Sequence, residues 1–285
     1  MSRCKLCGSE AVSRVGYAPS PYFKGLSYSL YSCDGCECNF FDPKEHPVDL
    51  QDMFDKLDSD NQSFDVKFSK SLYWEFHKNL IVKQFGRNPK SVLDVGCRTG
   101  AFLMHFDAEV VKEGVELSTV AANIASKRGI IAHNNYIENI KFNSKFDVVT
   151  SFAVLEHLPE PMKFLDSVQS WVNDKGLLVL MAPTHQCLKE KLAALFNKTW
   201  RMYTPPSHLN FYSRKWLDDT LKKEGFILEK RYYTSGGAFN PFSKIPLLGR
   251  AFQGFMYLID KTPLNRWPIF DHQYSYYRKG EHKKH

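Results

Sequence analysis

Two acidic residues at the ends of consecutive apolar runs, with a glycine-containing turn after the first, indicate a nucleotide-type site. Asp94 lies in the apolar run 91–95, which is followed by the turn 96–100 with glycines at both ends. Glu116 ends the next run, about 20 residues further on. Glycines in such a turn let backbone N–H groups approach a ligand, and an acid at the second position can accept hydrogen bonds from two ribose hydroxyls. Residues 92–100 and Glu116 are therefore predicted to bind a nucleoside-bearing cofactor.

Two C-x-x-C pairs near the N-terminus indicate a second kind of chemistry. Each pair can direct two thiolates at one point, and four thiolates are typical of structural zinc sites. A polar unit of about 40 residues also needs a metal ion to fold. We predict structural Zn²⁺ held by Cys4, Cys7, Cys33 and Cys36.

Alternatives to this zinc site remain at the level of sequence. The four cysteines would otherwise be buried free thiols, and a redox pair is less favoured because no βαβ pattern surrounds them. Cys38 is expected beside the metal or in place of Cys36. The segments 11–17 and 26–32 alternate as ribbon strands do.

The elements that would position these residues alternate between strand and helix from residue 91 onward. The apolar patterns predict strands at 91–95, 110–116, 129–133, 146–151, 176–182, 227–233 and 274–278, and helices at 69–85, 100–106, 118–128, 161–172 and 213–224. Such a chain forms a doubly wound, mostly parallel sheet that binds ligands at the carboxyl ends of its strands. The predicted fold class is α/β, with a seven-stranded Rossmann-like sheet and a small N-terminal zinc ribbon.

Composition sets the domain organisation. We predict a ribbon over 1–42, an acidic linker over 43–68, and an α/β domain over 69–285 with inserts near 186–203 and 236–271. The formal net charge of +7 is concentrated in the last third, where 18 basic residues face 8 acidic ones. That third would attract an anionic partner, or it is a solvated basic surface.

The same features predict the compartment. Seven cysteines in a chain whose N-terminus lacks an apolar signal region favour a reducing cytoplasm over a disulfide framework. No apolar run is long enough to span a membrane. Residues 239–261 carry an apolar face edged by basic residues, which fits a lid over a bulky acceptor, a contact with the inner face of a membrane, or a core helix.

Five motifs together resemble the class I S-adenosylmethionine-dependent methyltransferases. They are V-L-D-V-G-C-R-T-G-A-F-L (92–103), V-E-L-S (115–118), F-D-V-V-T-S-F-A-V-L-E-H-L-P-E-P (146–161), G-L-L-V-L-M-A-P (176–183) and H-L-N-F-Y-S-R-K-W-L-D-D-T-L-K-K-E-G-F (208–226). The third and fifth look like the subgroup that methylates small molecules, quinones and bacterial surface sugars. Some of its members carry an N-terminal zinc module.

The resemblance implies a cofactor, S-adenosylmethionine, and a role for each matching residue. The glycine loop would wrap the methionine part, Glu116 and Leu117 would lie at the ribose, Asn135 or its neighbour would approach the adenine, and Ser151 and Phe152 would lie beneath the sulfonium. The implied loop residues are Asp94, Gly96, Cys97, Arg98 and Gly100. Arg98 stands where the family most often has a glycine. A positive φ there would cost about 1 kcal/mol or more, and the side chain would otherwise contact the cofactor carboxylate.

Two histidines are candidates for a general base. His157 follows the fourth predicted strand of the sheet, and His208 follows the fifth strand and its insert. Either would take a proton from an acceptor hydroxyl; otherwise both are structural or hydrogen-bonding residues. The [N/D]-P-P-[Y/F] tetrad of many nucleic-acid amino-methyltransferases is absent at 151–154. That absence speaks against methylation of exocyclic base nitrogens and is compatible with a hydroxyl acceptor. The resemblance to the subgroup implies a small molecule or surface-glycan sugar, methylated at oxygen, as the acceptor.

Two competing functions remain. An RNA-modifying methyltransferase would use its zinc module and basic C-terminal third to bind phosphates, although the sequence does not favour a nucleic-acid partner. A non-catalytic scaffold with a relic cofactor pocket is suggested by Arg98.

Overall fold

A computed structural model describes residues 3–60, 68–234 and 262–281. The described strands are β1 (Val12–Pro19), β2 (Ser27–Cys33), β3 (Cys38–Phe41), β4 (Ser91–Val95), β5 (Val111–Glu116), β6 (Ile131–Asn134), β7 (Phe146–Phe152), β8 (Val172–Pro183), β9 (Asn210–Phe211), β10 (Phe226–Thr234) and β11 (His272–Lys279). The described helices are α1 (Leu50–Asp60), α2 (Phe68–Phe85), α3 (Thr119–Lys127), α4 (Pro161–Trp171), α5 (Leu188–Leu195) and α6 (Arg214–Lys223).

The larger sheet has seven strands in the order β10-β11-β8-β7-β4-β5-β6. Strands β4 to β8 pair in parallel, and β11 is antiparallel to both of its neighbours. The central strands are apolar because parallel sheets are covered on both faces, and Val92, Leu93, Val148 and Val149 are fully buried. The predicted α/β class with a mostly parallel seven-stranded sheet is confirmed.

The smaller sheet joins the cysteine-rich module to the α/β part of the chain. Its order is β1-β2-β3-β9, and β9 is contributed by the segment that follows His208. Asn39 pairs with Phe211 and Phe40 with Asn210. The ribbon strands expected over 11–17 and 26–32 are thus β1 and β2, whereas the domain boundaries at 42 and 68 stay a prediction.

Two segments differ from the expectations of the sequence. The helix expected over 100–106 is only a 3-10 turn, Leu103–His105, because the backbone becomes extended at Phe106. Part of the acidic linker is the helix α1, which packs on α3: the Asp55 carboxylate accepts the Val120 N–H at 3.4 Å. The apolar face predicted over 239–261 lies outside the described residues. Among the helices that are described, none combines the length and hydropathy of a membrane-spanning segment.

Candidate cofactor and acceptor site

The turn after β4 has a backbone that glycine alone adopts without strain. Gly96 has φ +75° and Gly100 has φ +71°. A Cβ atom would lie 2.2 Å from Val154 Cγ2 at the first position and 1.9 Å from Ile130 Cδ1 at the second. The Gly96 N–H donates to the Val115 carbonyl at 2.8 Å, which fixes the turn against the end of β5. Neighbouring side chains pack so closely against both positions that only glycine fits there. Glycines at such positions are typical of a cofactor-binding turn.

Arg98 shares this left-handed conformation with φ +48°. Its N–H donates to Glu116 Oε2 at 2.8 Å. Its guanidinium pairs with the buried carboxylate of Asp58 on α1, so the side chain fastens α1 over the glycine turn. Asp58 is a site residue that the sequence did not reveal, since it stands in an acidic run with no local sign of its partner.

Two buried carboxyl groups flank the turn. Glu116 accepts N–H groups from Arg98 and Ser118, each at 2.8 Å. Burial raises its pKa, and the two N–H groups oppose that shift. Asp94 accepts the Thr150 hydroxyl at 2.6 Å, and burial raises its pKa to about 7. Each Glu116 oxygen keeps a lone pair for a further donor, which is what two ribose hydroxyls need.

The remaining predicted cofactor residues lie around this centre. Asn134 donates to the carbonyls of Glu116 and Leu117 at 3.0 and 2.9 Å, tying β6 to β5. The exposed Asn135 accepts the Tyr136 N–H at 2.8 Å, and Leu117 is half-buried. The buried Cys97 packs its sulfur beside Gly114.

An aromatic group surrounds Phe152 at the end of β7. Trp74 of α2 stacks on Phe152 with ring centroids 5.8 Å apart and an interplanar angle of 19°. Phe102 meets Phe152 edge-on at 5.0 Å. Aromatic faces attract a cation such as a sulfonium. The sequence places Trp74 only in the helix predicted over 69–85, because its helical spacing gives no sign of this neighbour.

The structure brings the two predicted histidines together. The ring centroids of His157 and His208 are 4.8 Å apart. Their Nδ1 atoms lie 2.6 Å from the Ser207 carbonyl and 2.8 Å from the Met202 carbonyl. Burial lowers the pKa of His157 to about 3 and that of His208 to about 4. Both rings are therefore neutral near pH 7 and weak as bases. Beside them, burial raises the pKa of Glu156 to about 8.

Three buried polar side chains near the carboxyl end of β8 have no hydrogen-bond partner in the described part of the chain. They are Thr184 (Oγ1), His272 (Nδ1) and Gln273 (Oε1 and Nε2). β11 pairs His272 with Pro183 and Gln273 with Ala182, so both lie at the carboxyl edge of β8. The Ser151 hydroxyl, on neighbouring β7, is also buried and unpartnered. Orphaned polar groups of this kind call for a ligand or water, and the sequence singled out Ser151 alone.

The four predicted metal ligands meet in the N-terminal module. Sulfur atoms are 3.7 Å apart for Cys4 and Cys36, and 3.6 Å apart for Cys7 and Cys33. A tetrahedral zinc ion with Zn–S bonds of about 2.3 Å separates its sulfurs by about 3.8 Å. Cys38 lies outside this group, with its sulfur accepting the Ser213 N–H at 3.2 Å.

Comparison with known proteins agrees with this fold. The family described as "Methyltransferase domain" matches residues 73–230, which is more than half of the chain. The chain therefore belongs to that family, and its α/β part is an S-adenosylmethionine-dependent methyltransferase domain.

Curated relatives match part of the chain. A ubiquinone biosynthesis O-methyltransferase of Haemophilus ducreyi is 31% identical over 104 residues, which are 32% of this chain and 44% of that protein. A tRNA U34 carboxymethyltransferase of Aliarcobacter butzleri is 27% identical over 126 residues, 41% of each protein. The chain thus spans less than half of the length of these two relatives.

Solved structures share the fold. Magnesium protoporphyrin IX methyltransferase from Synechocystis PCC 6803, with bound SAH, gives a TM-score of 0.53 at 13% identity, over 80% of this chain and 95% of that chain. The plantazolicin methyltransferase BamL gives a TM-score of 0.51 at 17% identity, over 83% of this chain and 92% of that chain. Identities this low show the fold alone.

Proposed function

We propose that the protein transfers a methyl group from S-adenosylmethionine to a hydroxyl of a small molecule or of a surface-glycan sugar. The observation that supports the acceptor class is that buried polar atoms at the carboxyl ends of β7 and β8 lack partners: Ser151 and Gln273 on one face of the sheet, His272 on the other, and Thr184 just after β8. Donors and acceptors are both present in this set, and a hydroxyl-bearing acceptor can satisfy both kinds.

Each residue around the turn has a role in this proposal. The bound cofactor would supply a sulfonium methyl that moves to the acceptor oxygen while the S–CH₃ bond breaks. Glu116 holds the ribose hydroxyls, Phe152 and Trp74 face the cationic sulfur, and the backbone of Gly96 and Gly100 wraps the methionine part. The chain orients the two reactants in a dry pocket, which is most of what such a displacement requires.

The acceptor proton needs a destination. His208 and His157 are the candidates within the site, as neutral imidazoles with a free lone pair. Their low pKa values limit them to an acceptor whose hydroxyl is acidic or otherwise activated. His208→Gln should then lower turnover at saturating S-adenosylmethionine without changing cofactor affinity, and unchanged turnover would remove the base role.

The relatives suggest two acceptor classes, and three paired arginines in the C-terminal third are an argument for the small one. One relative is named for ubiquinone biosynthesis, and the other is named for position U34 of tRNA. In the C-terminal third, Arg201 pairs with Asp271, and Arg231 pairs with Asp218. Arg278 pairs with a glutamate on the adjacent strand. Internally paired guanidinium groups are poorly placed to neutralise phosphates, so RNA methylation is the second candidate.

Cofactor binding is tested by calorimetry with S-adenosylmethionine. Glu116→Gln removes the charge that would accept the ribose hydroxyls, and affinity should fall by about tenfold or more, since a hydrogen bond to a charged group is worth roughly 1.5–3 kcal/mol. Glu113→Gln is the matched control, because Glu113 lies on the same strand and pairs with His133. Absence of binding by the unmodified protein would leave only the scaffold function.

The acceptor class is tested with methyl-labelled cofactor. The protein is incubated with nucleotide sugars, phenols and total RNA, and the label is followed into each fraction. Label in sugars or phenols supports the proposal. Label in RNA, with binding that weakens steeply as salt rises, would establish the second candidate instead.

We also propose that Cys4, Cys7, Cys33 and Cys36 bind a structural zinc ion. Support comes from the sulfur separations and from the four sulfurs lying within 4.8 Å of one another. Replacing Cys4 and Cys7 by Ser should remove one equivalent of zinc per chain and lower stability. Cys187→Ser is the control, because this buried cysteine lies outside the group. Full zinc content in the double variant would disprove the site.

A further inference from the structure

A second group of metal-binding side chains lies on the acceptor side of the sheet, away from the cysteines. Glu156 and His157 belong to the 3-10 turn Leu155–His157 after β7, and His208 precedes β9. One ligand atom from each lies within 4.8 Å of the other two. The two segments are joined by the Leu209 N–H, which donates to the Glu156 carbonyl at 2.7 Å. Two imidazoles and a carboxylate are therefore held together by backbone.

Hydrogen bonds to carbonyl oxygens fix the tautomer of both rings. Nδ1 of His157 is 2.6 Å from the Ser207 carbonyl, and Nδ1 of His208 is 2.8 Å from the Met202 carbonyl. A carbonyl only accepts, so each Nδ1 carries the proton and each Nε2 keeps its lone pair. Metal-ligating histidines are typically oriented in this way, with the other ring nitrogen donating to a carbonyl or carboxylate.

The carboxylate of Glu156 is the feature that points to a ligand. The residue is 1% exposed, and neither of its oxygens has a hydrogen-bond partner among the described residues. Without a partner the group is neutral near pH 7, because burial raises its pKa to about 8, so its ionised form needs a cation beside it. No lysine or arginine of the described chain pairs with it. A bound cation would supply the missing partner.

We propose that Glu156, His157 and His208 form a second metal site, selective for a divalent transition ion. Two imidazoles and one carboxylate suit Zn²⁺, Fe²⁺ or Co²⁺ better than Mg²⁺ or Ca²⁺, which prefer oxygen. In a tetrahedral site, bonds of about 2.0–2.2 Å place two ligand atoms about 3.3–3.6 Å apart. The three ligand atoms lie within 4.8 Å of one another, so small side-chain movements would bring them to an ion.

Three protein ligands leave a coordination position for a further oxygen. With the ion bound, the lone pairs of both histidines would be used as ligands, and neither ring would act as the base. An acceptor hydroxyl on the metal would instead lose its proton to water more readily. That catalytic consequence rests on the proposed function, whereas binding of the ion does not. The binding experiment therefore needs neither acceptor nor cofactor.

The test is metal binding to the full chain after the cysteine site has been filled with zinc. Co²⁺ titrated into this protein should bind as one further equivalent, with visible d–d absorption and no thiolate-to-cobalt charge-transfer band. Glu156→Gln and His208→Gln should each weaken this binding by about tenfold or more. His133→Gln, which removes an imidazole outside both groups, should bind Co²⁺ as the unmodified protein does.

Folding is checked in the same samples through the zinc retained by the cysteines. If a variant fails to fold, the titration of the unmodified protein decides: absence of a sulfur-free cobalt spectrum overturns the site. Equal cobalt affinity in the unmodified protein and in both folded variants overturns it as well.

Discussion

Substitutions of Arg98 test the conformation of the glycine turn. At its φ of +48°, a glycine should stabilise the folded protein more than an alanine does, the reverse of the usual order. In the left-handed region a Cβ atom costs about 1–2 kcal/mol. Glycine removes that cost but loses roughly 0.5–1 kcal/mol of extra chain entropy on folding. Arg98→Gly should therefore be more stable than Arg98→Ala by about 0.5–1 kcal/mol.

Both variants lose the same ion pair with Asp58, so its contribution cancels in the comparison. Relative to the unmodified protein, that loss amounts to about 1 kcal/mol or less, since the Arg98 side chain is 56% exposed. The matched control is Asn123 in the middle of α3, an exposed helical position. There Gly should be less stable than Ala by about 1 kcal/mol.

The assay is equilibrium denaturation in guanidinium chloride without cofactor, with reductant and a fixed zinc concentration. The Gly-minus-Ala differences in unfolding free energy at positions 98 and 123 should have opposite signs. Thermal midpoints should separate by about 1–4 °C at each position. Equal stability of the two Arg98 variants, or a more stable Ala, would refute the left-handed conformation of the turn.

Three further outcomes follow from buried polar groups. Burial raises the pKa of Asp94 from 3.8 to about 7, so the native state holds this proton more tightly than the unfolded chain does. The resulting stabilisation is complete below about pH 4 and is lost as the pH rises to about 7. Subtracting the pH profile of unfolding free energy for Asp94→Asn isolates this dependence, and a flat difference contradicts it. Asp271→Asn uncharges a carboxylate that accepts hydrogen bonds from Lys189, Trp200 and Arg201. It should cost about 1.5–3 kcal/mol in the same assay, since the two cations left behind are 34% and 33% exposed. A cost below about 0.5 kcal/mol would show that the network is dispensable. Ser213→Ala removes the N-cap of α6 and a 2.7 Å hydrogen bond to the Cys36 carbonyl. The free energy of unfolding should fall by about 1–2 kcal/mol, and a chelator should withdraw zinc faster. An unchanged rate of zinc withdrawal would show that α6 does not stabilise the cysteine site.

The strands of the large sheet were predictable because buried strands appear in the sequence as continuous apolar runs. The predicted 91–95 is β4 itself, and 146–151 differs from β7 by one residue. Acids and glycines at the ends of these runs mark the carboxyl edge, so the position of Glu116 relative to the turn also follows from sequence. Each of these strands and the position of Glu116 can be predicted from residues that are adjacent in the sequence.

Contacts between distant segments carry no such local signal. The acidic segment containing Asp58 reads as a solvated linker, since its partner Arg98 is 40 residues away. Strand β9 has only two residues and becomes a strand only through β3. Trp74 shows helical spacing whether it faces a core or a cofactor. The carbonyl contacts that orient His157 and His208 likewise depend on loop conformations that residue types do not specify.

The pairing of β3 with β9 connects the cysteine module to the segment that contains His208. β3 begins two residues after Cys36, and β9 begins two residues after His208. The ribbon therefore holds one end of the loop, which also contacts the Met202 carbonyl and the Glu156 backbone. A module of this size would depend on a metal ion to stay folded. Under the proposed function, we therefore expect zinc at the cysteines to help to fix the position of His208 through the pairing of β3 with β9, without touching either reactant.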